Sequence, residues 1–221
     1  MEIPVIRSVL ESNEKIAQRV RAKMAAARIL TLNLISSPGA GKTTLLERTL
    51  QDLRHEFKIA VIEGDLQTDN DAKRIASLGV QVVQINTDGG CHLESGMIVE
   101  SLSKIDQDGL DILFIENVGN LVCPVEFDLG EDHKVALLSV TEGDDKPEKY
   151  PLLFKLASVC LLNKIDLLPY VDFDVAKAKH LARMHNPGLK IFDVSASKNE
   201  GLTAWYEWLK GELALKKALN R

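Results

Sequence analysis

Cysteine is scarce in this chain. Cys91, Cys123 and Cys160 make an odd set at wide spacing, a poor disulfide framework that fits a reducing compartment. Long apolar runs are missing, so no segment reads as a bilayer span. The first 28 residues carry charge throughout and lack the apolar stretch of a signal peptide, which points to a cytoplasmic protein. Basic residues are not in excess. The net charge of -5 argues against a nucleic-acid binder, whose surface is usually basic. No low-complexity linker and no internal repeat divides the 221 residues, a length that fits one large domain or two small ones. Apolar residues reach 45%, enough for a substantial core.

The segment from Val5 to Arg28 reads as an amphipathic helix. Ile6, Val9, Leu10, Ile16, Val20 and Met24 recur at helical steps. It covers an edge or face of the core, or alternatively docks a partner. Short apolar runs follow at Leu30–Ile35, Ile59–Ile62, Val80–Ile85, Ile112–Ile115, Val135–Val140, Val159–Leu162 and Ile191–Val194. Most are nearly continuous in apolar character, as strands buried on both faces are. The stretches between them mostly suit crossover helices. The expected fold is α/β: a mostly parallel central sheet of about seven strands with helices on both faces. The expected organisation is a helix over residues 1–28 packed on a nucleotide-binding domain over 29–221. Ligands of such folds sit beyond the carboxyl ends of the strands.

The first strand runs into Ser36-Ser37-Pro38-Gly39-Ala40-Gly41-Lys42-Thr43-Thr44 and then a helical pattern, the strand–loop–helix setting of a phosphate-binding loop. Backbone N–H groups of Gly39 to Thr44 would wrap phosphate oxygens at the positive end of the helix. Lys42 would reach the β- and γ-phosphates, and the Thr43 hydroxyl would ligate Mg²⁺. Ser36 stands where the usual pattern begins with glycine. The alternative is a glycine-rich turn before a helix, but that leaves Gly-Lys-Thr without a packing reason.

Asn163-Lys164-Ile165-Asp166 ends another strand downstream. A carboxylate at Asp166 can accept from both N1–H and the exocyclic amine of guanine, an edge adenine does not offer. Ser195-Ala196-Ser197-Lys198, after the last strand, resembles the loop that lies against guanine in GTPases. The nucleotide is therefore GTP. Asp65 and Glu116 follow strand ends and are candidates for Mg²⁺ coordination and catalysis. Solvation or helix capping is the alternative for each. Glu116-Asn117-Val118-Gly119 looks like a variant of the Asp-x-x-Gly switch, in which Gly119 senses the γ-phosphate. No glutamine follows to place the attacking water, which predicts slow intrinsic hydrolysis. Asp69 is a candidate for that task.

Cys91 and His92 are adjacent after the third strand, and Cys123 follows Glu116 by seven residues. Thiolate and imidazole together suit Zn²⁺, Ni²⁺ or Cu⁺. A place near a helix start is expected to favour thiolate at Cys91. The alternative is two ordinary buried cysteines and a surface histidine. The trio is one ligand short of a tetrahedral set, which sharing across a two-fold axis would complete. Cys160, inside an apolar strand, reads as core.

Glu63-Gly64-Asp65, Cys91-His92-Leu93, Asn120-Leu121-Val122-Cys123-Pro124, Thr141-Glu142-Gly143-Asp144-Asp145-Lys146 and Asn163-Lys164-Ile165-Asp166-Leu167-Leu168, together with the phosphate loop and its Ser36, occur in this order. From Leu30 onward the chain resembles the HypB family, P-loop GTPases of hydrogenase nickel incorporation. The resemblance implies GTP-dependent homodimerisation and a nickel or zinc site formed by Cys91, His92 and Cys123 near the dimer interface. It implies nickel delivery to the hydrogenase large-subunit precursor with a small chaperone, HypA. It further implies that Lys149 contacts guanine across the dimer. The cysteine-rich or histidine-rich N-terminal nickel motifs of some members are absent before Cys91.

Overall fold

The computed structural model describes residues 9–65 and 70–218. Seven strands form one sheet: β1 (Leu30–Ser36), β2 (Ile59–Asp65), β3 (Gln81–Asn86), β4 (Ile112–Glu116), β5 (His133–Ser139), β6 (Val159–Asn163) and β7 (Lys190–Asp193). Their order is β3-β2-β4-β1-β5-β6-β7. Every pairing is parallel, so the expectation of a mostly parallel sheet is met in full. β1, β4 and β6 are buried along their whole lengths. This is why their apolar runs are continuous rather than alternating. β3, at an edge, is only half-buried.

The period of two along β1 divides its side chains between two cores. Leu30, Leu32 and Leu34 join the helices α2 (Lys42–Leu53) and α9 (Leu202–Ala218) on one face, around the buried Trp205. On the other face, Ile35 joins α7 (Pro151–Leu156) and α8 (Val175–His185). Beside them, Ile62 and Ile115 pack under α1 (Val9–Ala27) and α4 (Ser95–Leu102). Among the described residues no helix is long and apolar enough to cross a membrane.

The amphipathic helix predicted over Val5–Arg28 is present as α1, with its first residues outside the described ones. Arg28 ends it in the left-handed conformation, at φ 58°. Its buried stripe agrees with the predicted one at Val20 and Met24 and differs toward its start. Asn13, Ala17, Val20 and Met24 face inward, whereas Val9 and Leu10 are exposed. The reason is close approach. A Cβ at Gly130, itself at φ 85°, would lie 2.7 Å from the Ala17 carbonyl oxygen and 2.6 Å from Val20 Cβ. Only glycine at position 130 lets the helix settle at that distance. β2 runs three residues beyond the predicted run, which carries Glu63 to the carboxyl edge of the sheet beside Glu116. Shorter helices complete the chain: α3 (Asn70–Ala76), α5 (Cys123–Glu126) and α6 (Lys146–Lys149).

Candidate functional site: a phosphate cleft beside a thiol–imidazole cluster

β1 lies centrally, and the chain leaves it toward β2 on one side and reaches β5 on the other. The crevice at such a reversal is where open α/β sheets bind ligands. A cleft of about 440 Å³ opens there, lined by the loop from Pro38 to Thr44 together with Glu63, Arg74, Glu116, Gly119 and Lys164. Gly41 precedes α2 at φ 100°. A Cβ on it would meet Asn163 Nδ2 at 2.6 Å, so the turn requires glycine twice over. Gly41→Ala is expected to cost about 1–3 kcal/mol of stability, read as a lowered midpoint in denaturant unfolding. An unchanged midpoint would mean that the loop relaxes freely.

Lys42 and Thr43 open α2 and are buried in the cleft floor. Lys42 Nζ donates to Ser36 Oγ at 3.0 Å. The residue that departs from the usual loop pattern thus holds the ammonium in place. Burial pushes the Lys42 ammonium down, against the attraction of Glu116. The Thr43 hydroxyl donates to Glu116 Oε1 at 2.8 Å. Glu116 is 4% exposed. Burial pushes its carboxyl up to about 7, although Lys42 and Thr43 oppose the shift. Its second oxygen is buried without a hydrogen-bond partner. A hydroxyl and a carboxylate with an unused oxygen, side by side, are the hard donors Mg²⁺ takes, so these residues fit that ion. Asp65 closes β2, but its side chain lies outside the described residues, as does Asp69 altogether. Glu63 and Arg74 line the cleft without having been singled out by sequence reasoning. Glu63 was legible within Glu63-Gly64-Asp65. Arg74 had no signal, because only the packing of α3 beside α2, where it pairs with Glu47 at 2.9 Å, brings it there.

Behind the loop, Asn163 is a brace. Its Nδ2 donates to the Ala40 carbonyl at 3.0 Å, and its Oδ1 accepts from Ala196 N at 3.1 Å. The phosphate loop and the Ser195–Lys198 turn are thereby tied together. Lys164, at φ 63°, donates to the Gly39 carbonyl at 2.7 Å. Asp166 Oδ1 accepts from Ser195 Oγ at 2.5 Å, and the same hydroxyl accepts from Lys198 N at 3.2 Å. The carboxylate is thus oriented by the turn it faces. Lys149 lies apart, mostly exposed and paired with Asp145 at 2.6 Å.

Cys91, His92 and Cys123 come together. One potential ligand atom from each lies within 4.8 Å of the others, and no other such group of three exists among the described residues. Cys91 Sγ is 3.5 Å from His92 Nδ1. The imidazole stacks on Phe127 with centroids 3.8 Å apart. The expectation of a lowered thiol at Cys91 is corrected. α4 begins four residues later, at Ser95. A hydrogen bond with Cys123, then burial, pushes the Cys91 thiol up. The sulfur of Cys123 beside it thus disfavours a thiolate at Cys91, and a bound dication would reverse that balance. Cys160 is core, its thiol pushed up to about 12 by burial.

A short segment joins cleft and cluster. Gly119 packs on Pro38 so closely that a Cβ would sit 3.0 Å from it. Asn117 Oδ1 accepts from Leu93 N at 3.3 Å, next to His92, and Asn117 Nδ2 donates to Asn33 Oδ1 at 3.1 Å. Cys123 then begins α5.

The chain as a whole is similar to known proteins. Residues 29–193 match the family model described as CobW/HypB/UreG, nucleotide-binding domain. The hydrogenase maturation factor HypB of Escherichia coli (strain K12) is 55% identical over 202 residues, spanning 91% of this chain and 70% of that protein. The crystal structure of HypB from Archaeoglobus fulgidus superposes with a TM-score of 0.86 at 38% identity, covering 92% of this chain and 99% of that one. HypB from Helicobacter pylori, solved in complex with nickel, superposes with a TM-score of 0.87 at 37% identity over 92% and 95% of the two chains. With the phosphate loop, the Asn163–Asp166 brace and the Cys-His pair carried on one all-parallel sheet, this chain belongs to the HypB family of P-loop proteins.

Proposed function

We propose that this protein is a cytoplasmic GTPase that carries nickel to a hydrogenase precursor and uses nucleotide state to govern its hold on the metal. The observation that carries the reading is the segment from Glu116 to Cys123. It begins at the phosphate cleft, touches the phosphate loop through Gly119, and ends on a thiol of the cluster. The names of the relatives support the cargo and the destination: a hydrogenase maturation factor in Escherichia coli and a nickel complex in Helicobacter pylori.

GTP enters with its base toward Asp166 and Ser195 and its phosphates over Gly39 to Thr44. Lys42 leaves Ser36 Oγ and donates to phosphate oxygen. Thr43 and Glu116, with Asp65, would hold Mg²⁺, which supplies charge neutralisation between the β- and γ-phosphates. Asp69 holds the attacking water. The water oxygen bonds to the γ-phosphorus as the bond to the β-phosphate oxygen breaks, and phosphate leaves with GDP. Turnover is slow without help, because Asn120 rather than glutamine follows Gly119.

Cys91, His92 and Cys123 supply three donors per protomer. A second copy brought alongside by GTP, with Lys149 reaching the partner's guanine, supplies the rest of a closed set. A small chaperone of the HypA type loads the site, and the hydrogenase large-subunit precursor receives the metal. Two thiols and an imidazole suit Zn²⁺ as well, so both ions belong in the test.

Nickel and zinc affinities are to be measured with GDP and with a non-hydrolysable GTP analogue, and molecular mass alongside. The expected result is a different nickel affinity in the two states, with a dimer only in the GTP-like state. Cys123→Ser is expected to weaken nickel binding by about tenfold or more and to abolish the difference. Equal affinity in both states would end the proposal, since a ligand can shift an equilibrium only through differential affinity.

A further inference from the structure

The proposed metal ligands come from two stretches distant in sequence, one at Cys91–His92 and one at Cys123. α1 joins them. Asn13 Oδ1 accepts from the backbone N–H of Ser95 at 2.7 Å, and Asn13 Nδ2 donates to the carbonyl of Asp128 at 2.7 Å. The Ser95 hydroxyl donates in turn to the Asn13 carbonyl at 2.8 Å. Ser95 lies three residues after His92, and Asp128 follows Phe127, the ring on which His92 stacks. Two turns along α1, Arg21 reaches both carboxylate oxygens of Asp128 at 2.7 Å. The contacts close a ring: Asn13, Ser95, His92, Phe127, Asp128 and back to Asn13.

Asn13 is 4% exposed and continues a stripe formed by Ala17, Val20 and Met24. A buried amide costs free energy that an apolar residue at this position would avoid, unless its bonds are made. Both ends of this amide are committed to main-chain groups of two separate segments. Those bonds fix the separation of the segments, which hydrophobic packing alone leaves adjustable.

We propose that Asn13 is a positioning residue for the metal: it holds the Cys91–His92 stretch in register with the stretch that follows Cys123, so that α1 sets the geometry and affinity of the site. The inference rests on the metal site proposed above. Among the described residues, α1 contributes nothing to the lining of the phosphate cleft, so its influence on metal is separable from nucleotide binding.

Co²⁺ added to the full chain is the probe. Its thiolate charge-transfer bands count bound sulfur, and the intensity of its visible bands reports tetrahedral geometry. Asn13→Ala is expected to weaken Co²⁺ and Ni²⁺ affinity about 10–100-fold, the usual cost of removing a group that orients a metal ligand. The visible bands should weaken with it, while GDP affinity stays unchanged. Asn13→Asp keeps the acceptor for Ser95 but opposes the Asp128 carbonyl, and should give an intermediate loss; it serves equally if Asn13→Ala does not fold. Ala17→Gly loosens α1 and touches neither bond, so its spectrum should match the unmodified protein. A wild-type spectrum and affinity in both Asn13 variants, or an equal loss in Ala17→Gly, would overturn the inference. Absence of thiolate bands in the unmodified protein would instead overturn the metal site itself.

Discussion

Asp166→Asn is expected to turn the protein away from GTP and toward XTP. Guanine presents two donors to the carboxylate, N1–H and the 2-amine. An asparagine amide meets that edge with one donor of its own, so at least one guanine N–H faces another N–H. Each mismatched polar group costs about 1–3 kcal/mol when shut away from water, so GTP affinity should fall by roughly 10²–10⁴-fold. Xanthine carries a carbonyl where guanine carries the amine, and that carbonyl accepts from the new amide. XTP should therefore bind the variant better than GTP does. The fold should survive, because asparagine keeps an acceptor for the Ser195 hydroxyl that Asp166 holds at 2.5 Å. Equilibrium titration with fluorescent GDP and XDP analogues decides the matter. Undiminished GTP affinity would place the base elsewhere.

Lys42→Ala should cost hydrolysis without costing the fold. The ammonium stands on the floor of the cleft, 3.0 Å from Ser36 Oγ, with Glu116 nearby. In the proposed reaction it donates to phosphate oxygens that gain charge as the terminal bond breaks. Losing one such preorganised donor lowers kcat by about 10²–10³-fold. The sign of the stability change is set by burial. Desolvation already pushes the ammonium down, so removing it relieves a buried charge. It also leaves Glu116 with less reason to ionise, and that carboxyl already titrates at about 7. Thermal unfolding of Lys42→Ala should therefore occur at or above the temperature of the unmodified protein near neutral pH. Single-turnover hydrolysis and a melting curve on the same preparation separate the two effects. Near-normal turnover would remove Lys42 from the chemistry.

The central strand runs were legible because β1, β4 and β6 are buried on both faces. Leu30–Ile35 and Ile112–Ile115 are mostly apolar, and their positions were read within a residue. The phosphate loop was legible because backbone wrapping of an anion demands glycine at Gly39 and Gly41, both at positive φ, followed by a lysine at a helix start. The inward stripe of α1 was read correctly at Val20 and Met24 and missed at Asn13 and Ala17. Periodicity weighs apolar size, whereas Ala17 is buried where α1 closes on Gly130, and the polar Asn13 where its amide bonds Ser95 and Asp128.

By itself, the sequence determined the α/β alternation, the phosphate loop, the Asn163–Asp166 element and which soft side chains are candidate ligands, because each follows from local backbone needs or from the chemistry of a side chain. Tertiary structure alone decided which of these meet. It brought Cys91, His92 and Cys123 within 4.8 Å of one another, turned Asn163 into a brace between two loops, set Glu63 beside Glu116 across adjoining strands and placed Asn13 between Ser95 and Asp128. The physical reason is common to all four. Their distances arise from the register of parallel strands and the docking of helices far apart in the chain, and no local pattern of residues encodes a separation of that kind.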